Sequence, residues 1–356
     1  MSAARAPLVS FIVPTLNRGR YVVRAVDSCL RAQAETTGVA VEIIVVDSQS
    51  DDGSWEMLLE RFAGDSRVRL IQNKRGLGPT RSWLDGAKLI TGEFVTFVWS
   101  DDYISPRFLR VLLPLLVEGS ELAIGSGAVR NVDEEGPFFI DRAEEHVDRE
   151  AFLIGYFRRA RHGTHRPVSP ACAIFKRHCL DKWIHTVEVW CNATSLRQQV
   201  MWRRAIGPDL LLYLIASNMS QRIPMLSEEV VQFSLHDGSI TVSSSEWLLH
   251  LGYWLARLWV IECGIAERPV RNEEFAEMVA FSLINGFRLA ITGPRSLPGL
   301  DNLAAMKRAV LLETSKLLLI VRARGQVLAV IRAISILIQG VIASRVRSKI
   351  RGLPHG

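Results

Sequence analysis

The chain has 356 residues, 48% of them hydrophobic and 22% charged, with nine Trp and fourteen Phe. That length and apolar content suffice to bury a large core and exclude an intrinsically disordered chain. The net charge of +6 is unevenly placed. Ten basic residues and one acid, Glu313, fall between Lys307 and Arg351, giving +9 there and −3 over the rest. Basic charge confined to an aliphatic tail excludes a general nucleic-acid binder and matches an anionic membrane surface, although a solvated helix reads the same way.

In chain order, the first apolar run is Leu8 to Val13 (LVSFIV), a buried strand stopped by Pro14 and a loop reaching Gly19. Tyr21 to Ala32 carries Val22, Val26, Cys29 and Leu30 at helical spacing. Glu42 to Val46 (EIIVV) predicts a second strand, ended by the polar cluster DSQSDDGS, and Trp55 to Phe62 a helix. Val68 to Ile71 is a third strand, with a Gly/Pro loop and a helix to about Ile90 after it. Phe94 to Trp99 (FVTFVW) is a fourth, running into Ser100, Asp101 and Asp102. Alternation of this kind predicts βαβ units in a mainly parallel sheet, with ligands held beyond the carboxyl ends of the strands. From 111 to 240 the pattern is less regular: VSPACAIF and Val230 to Phe233 read as strands, Asp209 to Ala216 as a helix. From Glu246 onward it is helical, with a break at GPRSLP (293–298) before the basic tail.

Two clusters carry chemistry. Adjacent carboxylates at a strand exit, Asp101 and Asp102, suit a hard divalent cation (Mn²⁺ or Mg²⁺) whose other ligands come from a diphosphate. Asp47 at another strand tip is positioned to accept from a base N–H or a ribose hydroxyl, while Asp51 or Asp52 caps the next helix. A strand-end turn explains either cluster without function.

The series VSFIVPTLNRGRYVVRAVDSCL, VEIIVVDSQSDDGS, GLGPTRSWLDGAKLITGEFVTF and WSDDYISPRFL resembles, in order and spacing, family 2 glycosyltransferases of the GT-A fold. The likeness covers residues 8 to 115 and, more loosely, 165 to 241. It implies a GT-A-like mixed, mainly parallel sheet flanked by helices, and a helical C-terminal extension. It also implies an inverting transfer of sugar from a nucleoside diphosphate. Under the resemblance Pro14, Thr15, Asn17 and Arg18 lie against the donor, Asp47 reads the base, and Arg81 stands near the diphosphate. Ser100 and Asp101 flank the donor, Asp102 binds the metal with His236 from VVQFSLHDGSIT, and Asp209 is the catalytic base, with Glu188, Glu228 and Glu229 in reserve. Departures accompany it: Trp99 stands where a carboxylate is frequent, Ser48 replaces a frequent second Asp, Pro208 a Glu and Ser234 an Arg.

The expected organisation is a transferase domain over 1–243, with a nucleotide-sugar half (1–115) and an acceptor half (116–243), then a helical extension over 244–356. The basic RHGTHR (161–166) suits a lipid-linked diphosphate or glycan acceptor, and Trp183, Trp190 and Trp202 suit sugar stacking or packing. Five cysteines without a CxxC pair, no apolar leader in the first seven residues and no uncharged run of about 18 apolar residues predict a cytoplasmic protein held peripherally on the inner face of the cell membrane. Two rivals stay open: a nucleotidyltransferase, and a membrane-associated nucleotide-sugar binder without turnover.

Overall fold

The computed structural model describes residues 6–74, 76, 78–158, 166–239, 244–294 and 302–351, with side chains as far as 339. RHGTHR (except Arg166), most of GPRSLP and the side chains of Arg345, Arg347, Lys349 and Arg351 therefore lie outside the described residues. Two compact units divide the chain, Met1–Phe152 with His165–Ala256, and Leu153–Thr164 with Arg257–Gly356. The first runs past the expected boundary at 243.

All described strands belong to unit 1: β1 (Leu8–Thr15), β2 (Ala40–Asp47), β3 (Val68–Gln72), β4 (Phe94–Phe97), β5 (Tyr103–Ile104), β6 (Leu122–Asn131), β7 (Glu144–Asp148), β8 (Ala173–Lys176) and β9 (Arg222–Leu235). They form one sheet in the order β3-β2-β1-β4-β8-β6-β9-β5, with β7 paired to β9. Helices α1 (Arg20–Ala34), α2 (Ser54–Phe62) and α3 (Pro79–Ala87) connect the first four strands, which pair in parallel as β3-β2-β1-β4. β1, β2 and β4 are mainly buried apolar runs because helices cover the sheet, while β3 (VRLIQ) at the edge alternates half-buried and exposed residues. Phe11, Val13, Ile43 and Val45 share a core with Val22, Val26 and Cys29 of α1.

Across β8 the sheet turns antiparallel, against both β4 and β6. β6 then runs parallel to β9, with register shifts among Ile124, Ser126 and Gly127. Two glycines make that pairing possible. A Cβ on Gly125 would lie 2.6 Å from Val230 side-chain carbons, and one on Gly127 2.6 Å from the Phe233 ring. β9 is longer than Val230 to Phe233 and takes in Pro224 near its start, where it pairs with β7. VSPACAIF divides into a 3-10 turn at Pro170–Cys172 and then β8. Further helices are α4 (Phe108–Leu112), α5 (Arg149–Gly155), α6 (Arg177–Val189), α7 (Pro208–Met219) and α8 (Glu246–Trp259).

Unit 2 holds α9 (Asn272–Thr292), α10 (Leu303–Ala323) and α11 (Val327–Arg351), and α9 packs against both others. By length and composition α9 is the one described helix able to cross a membrane, but half of its apolar window is buried within the protein. Core helices show the same features.

The entry to β4 is tightly fitted. Glu42 accepts from Ser10 Oγ at 2.6 Å, Gly92 N at 2.9 Å and Thr91 Oγ1 at 3.0 Å. Burial alone would raise its carboxyl pKa, but the bonds from Ser10, Thr91 and Gly92 outweigh burial and hold it below its ordinary value. A Cβ on Gly92 would meet Leu8 O at 2.8 Å and Ser10 N at 3.0 Å. Backbone cannot yield as a flexible side chain can. We expect Gly92→Ala to cost about 2 kcal/mol, read as a lower urea midpoint at unchanged m-value. An unchanged midpoint contradicts this packing.

Candidate active site

The loops after β1 and β2 are stitched to each other. Asn17, at a left-handed φ of 52°, donates Nδ2 to Asp51 Oδ1 at 2.8 Å and accepts Asp51 N at 3.0 Å. Ser54 Oγ accepts from Arg18 N and Gly19 N, and Asp52 Oδ2 also takes Gly19 N. Asp47 is fully buried. Its carboxylate accepts from Ser50 N at 3.0 Å, from Ser50 Oγ and from Gln72 Nε2 at 3.1 Å. Much of DSQSDDGS thus serves to fix the two loops.

The end of β4 is organised differently. Trp99 packs on Trp83 with ring centroids 4.6 Å apart and donates Nε1–H to Ser169 Oγ at 2.8 Å. An aromatic wall stands where the resemblance leads one to expect a carboxylate. Asp102 is 4% exposed, and its Oδ1 accepts the Ser234 N–H of β9 at 2.8 Å. Burial, then the neighbouring Asp101 charge, push the Asp102 carboxyl well above the usual range. Asp101 Oδ2 meets His236 Nε2 at 2.7 Å and Arg18 Nε at 3.5 Å. Arg24 of α1 donates to Asp101 O and Ser234 Oγ, both at 2.9 Å, and to Val132 O at 2.8 Å. Arg18 also reaches Gly238 O at 3.1 Å, joining the β1 loop to the turn after β9.

Asp209 sits in the first turn of α7. Gly207 N donates to Oδ1 and Tyr253 OH, from α8, to Oδ2, each at 3.2 Å. Burial raises this carboxyl to about 6 despite the hydrogen bonds from Leu210, Tyr253 and Gly207 that oppose it. A Cβ on Gly207, at φ 110°, would lie 2.6 Å from Gly252 O, so α7 begins pressed against the backbone of α8.

A cavity of about 860 Å³ opens between these groups. Pro14, Thr15, Asn17, Arg18, Ser100, Asp101, Asp102 and Asp209 all line it. Asp47 and Arg81 do not: Asp47 is sealed in its own hydrogen bonds, and Arg81, half exposed, pairs with Asp85 at 2.9 Å. His236 reaches the site through Asp101. The reserve acids are committed elsewhere, Glu228 to Arg107, Glu229 to the Phe139 N–H and Glu188 to Lys88. Trp183 and Trp190 are buried packing. Lys74, Ser82, Ser169 and Tyr253 also line the cavity; in the sequence only Tyr253 stands out, as an aromatic anchor.

Asp101 and Asp102 fit a divalent cation by donor chemistry. They are hard oxygen ligands facing one cavity, and the burial and the neighbouring Asp101 charge that together raise the Asp102 carboxyl are what a cation relieves. His236 Nε2 lies on Asp101 rather than beside Asp102. Among the described residues the His/Cys/Asp/Glu trio with ligand atoms gathered within 4.8 Å is Glu121, His178 and Cys179, not this one.

Residues 10–184 match the profile of Glycosyl transferase family 2. A chondroitin synthase of Escherichia coli is 32% identical over 133 residues, which are 37% of this chain and 18% of the synthase. Glycosyltransferase GlyG of Streptococcus pneumoniae is 31% identical over 134 residues, 37% of this chain and 42% of GlyG. Succinoglycan biosynthesis protein ExoO of Rhizobium meliloti is 33% identical over 129 residues, 36% and 34% of the respective chains. The matched segment is less than half the length of each relative. S. aureus TarS 1–349 in complex with UDP-GlcNAc superposes with a TM-score of 0.59 at 18% identity, over 93% of this chain and 92% of that one. At that identity the likeness is one of fold, the GT-A arrangement.

A buried acid with a raised pKa makes a stability prediction. The folded state binds the Asp209 proton more tightly than the unfolded chain does, so its stabilising share is complete below the ordinary carboxyl value of 3.8 and is lost as pH rises through about 6. Asp209→Asn should therefore unfold later than wild type at pH 7.5, by on the order of 2 kcal/mol. The difference should shrink towards pH 4 in urea titrations. Equal stability at both pH values contradicts the burial argument.

Proposed function

The chain belongs, through residues 10–184, to glycosyl transferase family 2, and on that premise we propose that it moves a sugar from a nucleoside diphosphate to an acceptor hydroxyl with inversion. The acceptor is a lipid-linked or polysaccharide intermediate and the setting is surface-polysaccharide assembly at the inner face of the cell membrane. A UDP-sugar is the first donor to test, because TarS, which shares the fold, is solved with UDP-GlcNAc. The supporting observation is that Asp101 and Asp102 line the same cavity as Asp209, a carboxyl raised to about 6. A volume near 860 Å³ accommodates a nucleotide sugar beside an acceptor group.

Each group has a distinct part. The β1 loop and Arg18 bind and orient the donor; Asp47, which the family pattern puts on the base, supports them from outside the cavity by fixing the β2 loop, and Arg81 would have to leave Asp85 to reach the diphosphate. Asp101 and Asp102, with His236 on Asp101, would hold a divalent cation, which when bound would supply positive charge for the leaving diphosphate. Asp209, mostly ionised at neutral pH, takes the acceptor proton as the hydroxyl oxygen bonds to the anomeric carbon and the carbon–diphosphate bond breaks. Placement of donor and acceptor in one cleft supplies much of the rest. Trp99 in place of a carboxylate favours one alternative, donor binding without turnover.

Release of nucleoside diphosphate and the anomer of the product test this reading. Asp209→Asn should cut kcat about a thousandfold with donor KM little changed, and wild-type kcat/KM should fall below pH about 6 as the base is protonated. Asp102→Ala should also abolish transfer. Near-normal turnover in the Asp209 variant removes it as the base. Donor binding with no transfer to any acceptor favours the non-catalytic alternative.

A further inference from the structure

The outward sides of α10 and α11 in unit 2 combine two features that a water-facing surface normally keeps apart. Large apolar side chains stand in solvent: Leu312 is 66% exposed, Leu319 68%, Leu328 82% and Ile331 57%. α10 shows how this arises. Met306, Val310, Leu317 and Val321 are its buried stripe at helical spacing, and Leu312 and Leu319, one heptad apart, lie on the opposite side with Arg308 and Arg322. The exposed leucines are therefore not the core stripe of α10 misplaced by a turn. They form a second apolar stripe. α9 contributes Ile291, 77% exposed, close to the exposed Arg288.

Charge decides what covers this face. From 278 to 339 the described residues include Arg288, Lys307, Arg308, Lys316, Arg322, Arg324 and Arg332, but a single carboxylate, Glu313. Glu313 is 2% exposed and turned into the unit, with Lys316 Nζ at 3.1 Å. The face thus offers cations and aliphatic carbon with no exposed acid among its described residues. A second copy would oppose like charges across the contact. An ordinary protein partner would have to match both a lone sign of charge and protruding aliphatic side chains. A bilayer carrying anionic headgroups matches both at once, since leucines enter the acyl boundary and arginines stay at the phosphates. The same arginines and lysines, recurring every few residues, keep α10 from crossing a bilayer.

We propose that the outward face of α10 and α11, with the end of α9, lies on an anionic membrane surface, with Leu312, Leu319 and Leu328 entering the interface and Arg308, Arg322 and Arg332 on the phosphates. Every residue of this face lies in unit 2, and binding to vesicles needs neither donor nor acceptor, so its absence leaves the transferase reading standing.

The experiment is flotation of the full chain with phosphatidylcholine vesicles, with and without phosphatidylglycerol. Wild type should float with the anionic vesicles, stay behind with the neutral ones, and detach as salt rises from about 0.05 to about 0.5 M. Leu312→Ser/Leu319→Ser/Leu328→Ser should lose about tenfold or more in binding with its circular dichroism unchanged, because all three side chains are already in solvent. Should that variant fail to fold, Arg308→Gln/Arg322→Gln serves as the second arm and should remove most of the salt-sensitive binding. Wild-type binding in a folded leucine variant, or full salt-sensitive binding in the arginine variant, would overturn the proposal. So would no flotation of wild type at low salt, or a self-association that the leucine substitutions abolish without any vesicle binding.

Discussion

Two adjacent carboxylates cannot be buried at the end of a strand unless something answers their charge, and much of unit 1 is arranged around that requirement. Asp101 and Asp102 follow β4, deep enough that the Asp102 carboxyl is pushed strongly towards its protonated form. The groups that make the corner tolerable come from distant sequence: Arg18 from the β1 loop, Arg24 from α1, the Ser234 N–H from β9 and His236 just beyond it. Sheet order explains how they meet. β1 lies beside β4, while the long β9 ends at its carboxyl edge beside β6. An apolar pair at 101 and 102 would be easier to bury. Retaining the acids makes sense where a cation and a diphosphate supply the missing positive charge and its ligand.

The same logic extends across the cavity to Asp209. Its carboxyl costs stability as it ionises, opposed by the N–H groups of Leu210, Gly207 and Asp209 itself and by the Tyr253 hydroxyl. Tyr253 reaches it because Gly207 and Gly252 allow α7 and α8 to approach backbone to backbone. A helix outside residues 10–184 therefore helps build the floor of the cleft, and a family profile that stops at 184 cannot register it.

Much of the first hundred residues was legible in the sequence, since buried parallel strands are unbroken apolar runs and their ends are punctuated by polar clusters. β1 to β4 and their helices lie within a few residues of where LVSFIV, EIIVV and FVTFVW place them. The middle was legible only in part: VSPACAIF, Asp209 to Ala216 and Val230 to Phe233 fall on β8, α7 and β9, while β6, β7 and the first half of β9 gave no such signal. β6 carries two glycines required by close cross-strand contacts, β7 reads EEHVD, and β9 contains Pro224, so each depends on partners far away in the chain. Side-chain direction was harder still. A strand-end Asp followed by Ser and Asp looks the same whether it faces a ligand or ties down a loop, and Asp47 is enclosed by Ser50 and Gln72. Arg24 gives no local signal, being one more cation on an amphipathic helix. Its importance comes from β9.

The claim on which the functional reading turns is that the Asp101–Asp102 corner holds donor and cation together. Melting temperature, followed with UDP-sugars in the presence of Mn²⁺ or a chelator, measures that directly. The account predicts that one donor raises the melting temperature of wild type only when the metal is present, and raises that of Asp101→Asn/Asp102→Asn in neither condition. Equal stabilisation of the double variant, or full stabilisation of wild type in chelator, would contradict it.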